Sequence, residues 1–149
     1  MKFSSEFSPK HKILFGIVAV IIVASTIPVF FDESMKENWT AKNIIFVVNL
    51  LSLGLLFWII TKTHYTINQN QLVCKSGPFK RIIPIESIKR IEFHNGIIVP
   101  ALWKLALSHK GIIIHHGQFD EIYISPKKYE KFINELLKIN PNILLPTNV

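Results

Sequence analysis

Two long apolar runs near the N-terminus constrain this chain more than any other feature. "ILFGIVAVIIVASTIPVFF", Ile13 to Phe31, holds 19 residues without a charge, and "IIFVVNLLSLGLLFWII", Ile44 to Ile60, holds 17. At about 1.5 Å rise per residue the first spans roughly 28 Å as a helix, close to the hydrocarbon thickness of a bilayer, and the second lies at the short end of the spanning range. A helix that is apolar around its whole circumference has no face to offer to water. Two in succession therefore argue for membrane spans rather than core helices. The competing reading of the first run is a cleaved leader. Lys10-His11-Lys12 would be its basic flank, but the run is long for a leader and no small-x-small site follows it. Pro28 falls late in the first run, where a kink or an early end is tolerated.

The flanks set the expected topology. Residues 1–12 carry three lysines and one acid, the connecting residues 32–43 carry three acids and two lysines, and residues 61–149 carry twelve Lys or Arg. The positive-inside bias places both termini in the cytoplasm and the short connection outside. Trp39 and Trp58 suit interfacial positions at the ends of the second span. The expected division is a cytoplasmic N-terminus at 1–12, spans at 13–31 and 44–60, an external loop at 32–43 and a cytoplasmic domain at 61–149. The one cysteine, Cys74, excludes a disulfide framework within the chain and suits a reducing compartment; a small buried hydrophobe in a strand is its simplest role.

After the second run the pattern changes to period-2 alternation broken by turn residues. Strands are expected at His64–Ile67, Gln71–Lys75, Phe79–Ile83, Lys89–His94, Lys104–Lys110, Ile112–His116 and Glu121–Ser125. Asn68-Gln69-Asn70 and Ser76-Gly77-Pro78 supply turns, and Ile85–Ile88 a helical turn. "NGIIVPALW", Asn95 to Trp103, reads as an apolar loop. Tyr129, Phe132, Ile133, Leu136 and Leu137 then recur at helical spacing, with Ser125 as the expected cap, Pro126 in the first turn and Asn140-Pro141 as the stop. The tail from Asn142 is expected on the surface. Seven antiparallel strands followed by one amphipathic helix make an α+β domain, a partly open barrel with the helix closing one mouth.

That order is the pleckstrin-homology arrangement, and the stretch from about His64 to Pro141 resembles the bacterial pleckstrin-homology-like domains of the YyaB type. The likeness rests on Gly77-Pro78, the "IPIESI" element, "ALS" at Ala106 to Ser108 and the "ISP…F…L…NP" ending. The resemblance implies a non-enzymatic binding domain behind two membrane helices. The sublancin immunity protein resembles this type of domain on a membrane anchor with fewer helices, which implies one role: protection from an antimicrobial peptide at the membrane. In eukaryotic relatives a basic first hairpin grips phosphoinositide; here that loop, Asn68-Gln69-Asn70, is uncharged.

The stretch "HHGQFDE", His115 to Glu121, is the one dense cluster of candidate ligands. On a strand, His115 and His116 point to opposite faces, so a shared metal ion is not expected. No nucleophile, phosphate-loop or zinc-protease motif is present, so neither a catalytic residue, a metal nor a cofactor is expected. Residues 61–149 have twelve basic and six acidic residues. Lys80, Arg81, Lys89 and Arg90 are candidates for contact with anionic headgroups, set against a merely solvated face. Lys80 and Arg81 are neighbours on a strand and point apart unless a bulge intervenes. Ile97, Ile98 and Trp103 are candidates for an exposed patch touching a peptide, a membrane-protein partner or the lipid bilayer, set against a packed loop. A nucleic-acid partner is not expected, because no basic-aromatic reading surface is evident. An accessory role in a larger membrane complex is the alternative, with Asn49, Ser52 and Gly54 suited to helix packing.

Overall fold

The computed structural model describes residues 1–31, 38–96 and 98–146. The candidate contact residue Ile97 and positions 32–37 of the expected external loop lie outside them. The first apolar run lies in two helices, α1 (Pro9–Ala24) and α2 (Ile27–Phe31). The break falls where Pro28 forbids the bond back to Ala24. Around it, the Thr26 N–H donates to the Val23 carbonyl at 3.0 Å and the Ser25 hydroxyl to the Ile22 carbonyl at 2.7 Å. The second run is a continuous helix, α3 (Trp39–Thr61), capped by Asn38, whose side chain accepts from the Ala41 N–H at 3.0 Å.

Both helical stretches begin earlier than the apolar runs, because Pro9 at the first turn and the Asn38 cap are better starts than the first Ile of each run. Pro9–Phe31 and Trp39–Thr61, 23 residues each, are long and apolar enough to cross a membrane, and nothing in their most apolar windows is buried within the chain. The Asn49 amide donates to the Ser25 hydroxyl at 3.1 Å, one polar bond between otherwise greasy helices.

The rest forms two four-stranded sheets. The first has the order β1 (Lys2–Ser4), β2 (His64–Asn68), β3 (Gln71–Ser76), β4 (Phe79–Pro84), all antiparallel. A 3-10 turn at Ile85–Ser87 leads into β5 (Ile88–Asn95) of the second sheet, whose order is β5, β7 (Lys110–His116), β8 (Asp120–Ile124), β6 (Trp103–Lys104). Helix α4 (Tyr129–Ile139) closes the core with Phe132, Ile133 and Leu136. Tyr65, Leu72, Cys74, Ile83, Ile91, Ile112, Ile114, Ile122 and Ile124 fill the space between the sheets.

Four expectations are corrected. There are eight strands among the described residues, in two sheets rather than one partly open barrel. The added strand is β1, drawn from the N-terminal flank: Phe3 enters the core while its neighbours face out. Of "KLALSHK" only the two ends lie in strands, Lys104 in a two-residue parallel pairing with β8 and Lys110 at the start of β7, because Leu105 and Leu107 turn inward and Ser8 and Ser125 take up the backbone of Leu107. Ser125 does not cap α4. Its hydroxyl lies 2.9 Å from that of Ser5, where Ser5 and Pro126 bridge the two sheets, and the helix starts three residues after Pro126. In the tail, Ile143 is buried in the core and Leu144 pairs with the open edge of β5.

Candidate membrane-facing site

The sheets have a helix end and a far end, fixed by bonds at the junction. β2 starts three residues after α3 stops, and the Thr63 hydroxyl meets that of Ser76 at 2.9 Å where β3 ends. Gly77, in the next turn, has φ +54 and lies against the last turn of α3: a Cβ there would sit 2.9 Å from the Ile59 side chain and 3.2 Å from its backbone. Opposite, the β7–β8 hairpin tip touches the 3-10 turn through the Gly117 N–H and the Ser87 carbonyl at 3.0 Å, so "HHGQFDE" lies at the end away from the helices.

Register places the basic residues. Tyr65, Cys74 and Arg81 form one cross-strand row on the inner face, and the adjacent row, Ser4, His64, Lys75 and Lys80, faces outward. This outer row is at the helix end of the first sheet, with Lys62 immediately after α3. The four strands carry Lys2, His64, Lys75, Lys80 and Arg81, and no Asp or Glu. The His64 pKa is lowered, first by burial, then by Lys2, with further lowering from Lys75 and Lys62 and an opposing backbone hydrogen bond at Lys62.

The other candidates go elsewhere. Lys80 and Arg81 point apart, as alternation requires. The Arg81 guanidinium lies 4.4 Å from the ring centre of Trp103, a cation–π contact joining the free edge of β4 to the second sheet. Trp103 is thus half-buried and packed against the core rather than part of an open patch. Lys89 and Arg90 sit at a bulge in β5 near the far end, and Arg90 pairs with Glu92 at 2.9 Å. Lys80, Arg81, Lys89 and Arg90 therefore do not form one surface. The apolar loop crosses the outer face of the second sheet, where Val99 and Ala101 pack on Ile113 and Tyr123. Ile98 and Leu102 remain 87% exposed, and Leu102, which sequence reasoning missed, replaces Trp103 as the second exposed apolar side chain of the loop.

The two imidazoles of "HHGQFDE" are separated. His115 faces outward between Glu121, 3.0 Å from Nδ1, and Glu92, 3.3 Å from Nε2. The Glu92 approach lacks hydrogen-bond geometry. His116 faces the other way; burial lowers its pKa, Asp120 opposes that and Arg81 adds to it. A second polar cluster, invisible in the sequence, sits where α1 meets the sheets. The buried Ser8 hydroxyl lies 3.0 Å from His11 Nδ1 and 3.2 Å from His109 Nδ1, and the two rings stack with centres 6.0 Å apart. One hydroxyl proton can serve only one ring, so the other ring must donate to the oxygen. The arrangement fastens the first turn of α1 to the 105–109 loop. Cys74 is wholly buried and its thiol pushed up to about 12 by burial, which keeps it protonated and unreactive.

A family model described as "Bacterial PH domain" matches residues 63–140, just over half of the chain. This chain belongs to the bacterial PH domain family. The PH domain so defined starts at β2, so β1 is an addition to it from the other side of the helices. The chain is also 27% identical over 135 residues to "Uncharacterized protein YyaB" of Bacillus subtilis (strain 168), covering 88% of this chain and 86% of that protein. That likeness is too long to fit within the PH domain alone and extends into the apolar helices. No solved structure matches the chain significantly.

Proposed function

We propose that this protein is a membrane-anchored, non-enzymatic PH-like binding module, held by a two-helix hairpin at the inner face of the cytoplasmic membrane with both termini in the cytoplasm. The observation that carries the reading is the pairing of β1, before α1, with β2, after α3. Strands joined in one sheet lie on one side of a bilayer, so helices between them must cross it an even number of times. Two apolar helical stretches of spanning length supply that number. The basic excess on the sheet side agrees with a cytoplasmic placement. Binding rather than catalysis is supported by the family, by the protonated, buried Cys74 thiol and by the separated imidazoles. Each Lys or Arg near an anionic leaflet contributes about 1 kcal/mol of attraction, so the bilayer is itself a partner of this domain.

The sharpest physiological version is immunity: the domain meets an antimicrobial peptide as it reaches the membrane, and exposed Ile98 and Leu102 are apolar contacts available to it. Deleting the gene and scoring sensitivity across a panel of peptide antibiotics tests this. Raised sensitivity to one of them is the expected outcome, and unchanged sensitivity throughout removes the role. The alternative is an accessory subunit of a larger membrane complex. It is favoured by a groove of about 390 Å³ between α1 and α3, lined by Gly16, Ala19, Leu53 and Leu56, where a Cβ on Gly16 would meet nothing within 4 Å. Asn49, suited by sequence to packing on a partner, is instead engaged by Ser25 within the hairpin. Co-purification from mild detergent separates the readings, since a monodisperse monomer contradicts the complex.

A further inference from the structure

Among the described residues, the outer face of the first sheet stays open, with Ser4, Lys80 and Ile82 exposed. Its helix-end row runs Ser4, His64, Lys75, Lys80 in direct register, with Lys2 in the next row and Lys62 at the end of α3. Lys2, Lys62 and Lys80 are exposed, and His64 and Lys75 half-exposed. Like charges directly opposite one another on adjacent strands repel, and Lys75 faces Lys80 across β3 and β4. The strands of this sheet hold no carboxylate that could relieve the repulsion. The second sheet is the contrast, since Glu92, Asp120 and Glu121 intersperse its cations. Phe79, half-exposed, follows the turn that abuts α3 and adds an apolar contact beside the row.

We propose that this row is a docking surface for the headgroup phosphates of anionic lipids in the bilayer that the hairpin spans. The inference rests on the anchored reading above and deepens it by naming the face and the lipid class. The row lies within a few residues of the end of α3, so the chain itself delivers it to headgroup level. An array of cations with no acids on the same strands has its complement in a negatively charged leaflet, and a tethered domain needs little further attraction to lie against it. Of the basic residues singled out in the sequence, Lys80 belongs to this surface; Arg81, Lys89 and Arg90 do not.

The test uses the full chain in nanodiscs of phosphatidylcholine alone or with phosphatidylglycerol added, carrying Ser4→Cys as a reporter within the row. Native Cys74 is buried and does not compete for a water-soluble maleimide. Labelling of Ser4→Cys is expected to slow several-fold in the anionic discs, while Gln118→Cys at the far hairpin tip labels alike in both. Adding Lys75→Gln and Lys80→Gln restores the neutral-disc rate, whereas Lys89→Gln with Arg90→Gln, the same charge change at the far end, leaves it slow. In the same discs the His64 imidazole, followed by NMR, titrates at higher pH with anionic lipid than without. Equal rates in the two discs, or equal restoration by both charge pairs, overturn the proposal. Failure of the chain to remain in either disc is a different result and contradicts the anchored reading itself.

Discussion

Tyr65 joins the two sheets through a single oxygen. Its ring is wholly buried; its hydroxyl donates to the Leu105 carbonyl at 2.6 Å, accepts from the Ser125 N–H at 3.1 Å and lies 3.1 Å from the Ser5 hydroxyl. Burial pushes its pKa well above the ordinary phenol value, so it stays a donor. Tyr65→Phe keeps the packing and strands buried backbone groups, a loss of about 1–3 kcal/mol in denaturant unfolding of the detergent-solubilised chain. Tyr123→Phe, which removes one bond to the Ser108 carbonyl, is expected to cost less. Protonation gives a second prediction. His64 and His116 both have folded pKa values below the ordinary histidine value. A lowered folded value means the unfolded chain binds the extra proton first. Their contribution is therefore full above about pH 6.5 and is lost as pH falls through the folded values. The unfolding midpoint should drop on acidification below that point, and replacing both with Gln should flatten the drop. The divergence of His115 and His116 was legible from strand period alone. The Tyr65 hub was not, because its partners are backbone groups distant in sequence and carry no residue-type signal.

At the scale of elements, the chain turns directly from helix into sheet. Gly77 makes that possible, since its positive φ and its contact with Ile59 both exclude a side chain. Gly77→Ala is expected to cost about 1–3 kcal/mol and to loosen the seat of the domain on α3. Hydrogen exchange should show faster exchange at Thr63 and Ser76, and an unchanged pattern there contradicts the junction described. Gly111→Ala is a separate case, in which the new Cβ collides with the Ile124 carbonyl in the strand pair itself. Helix α4, the β2–β3 turn with Gln69 at positive φ, and the 3-10 turn were all readable from apolar period and turn chemistry. The apolar loop was legible as a loop, packed or exposed, but not the face it covers. Only tertiary packing decides that Val99 and Ala101 go down on Ile113 and Tyr123 while Ile98 and Leu102 stay out.

For the whole molecule, the least legible feature matters most. Lys2–Ser4 is three residues long and sits before a membrane-type helix, so no local pattern marks it as a strand. Its partner lies some sixty residues away across two helices, and the family match begins only at residue 63. The PH domain is therefore completed by the chain on the other side of its two apolar helical stretches. A fragment beginning at residue 62 lacks β1, exposes the β2 edge and leaves a void where Phe3 meets Phe132 at 5.1 Å between ring centres. It is expected to be less stable than the same fragment with residues 1–8 joined through a flexible linker, as thermal unfolding would show. The central claim is that the two apolar helices form a membrane hairpin whose flanks return to one side and pair. The direct measurement is labelling of single-cysteine variants by an impermeant maleimide in intact cells, against lysed cells. Ser4→Cys and Gln118→Cys should both be protected until lysis, and Ser34→Cys in the connecting segment should label from outside. Labelling of Ser4→Cys and Gln118→Cys from opposite sides would contradict it.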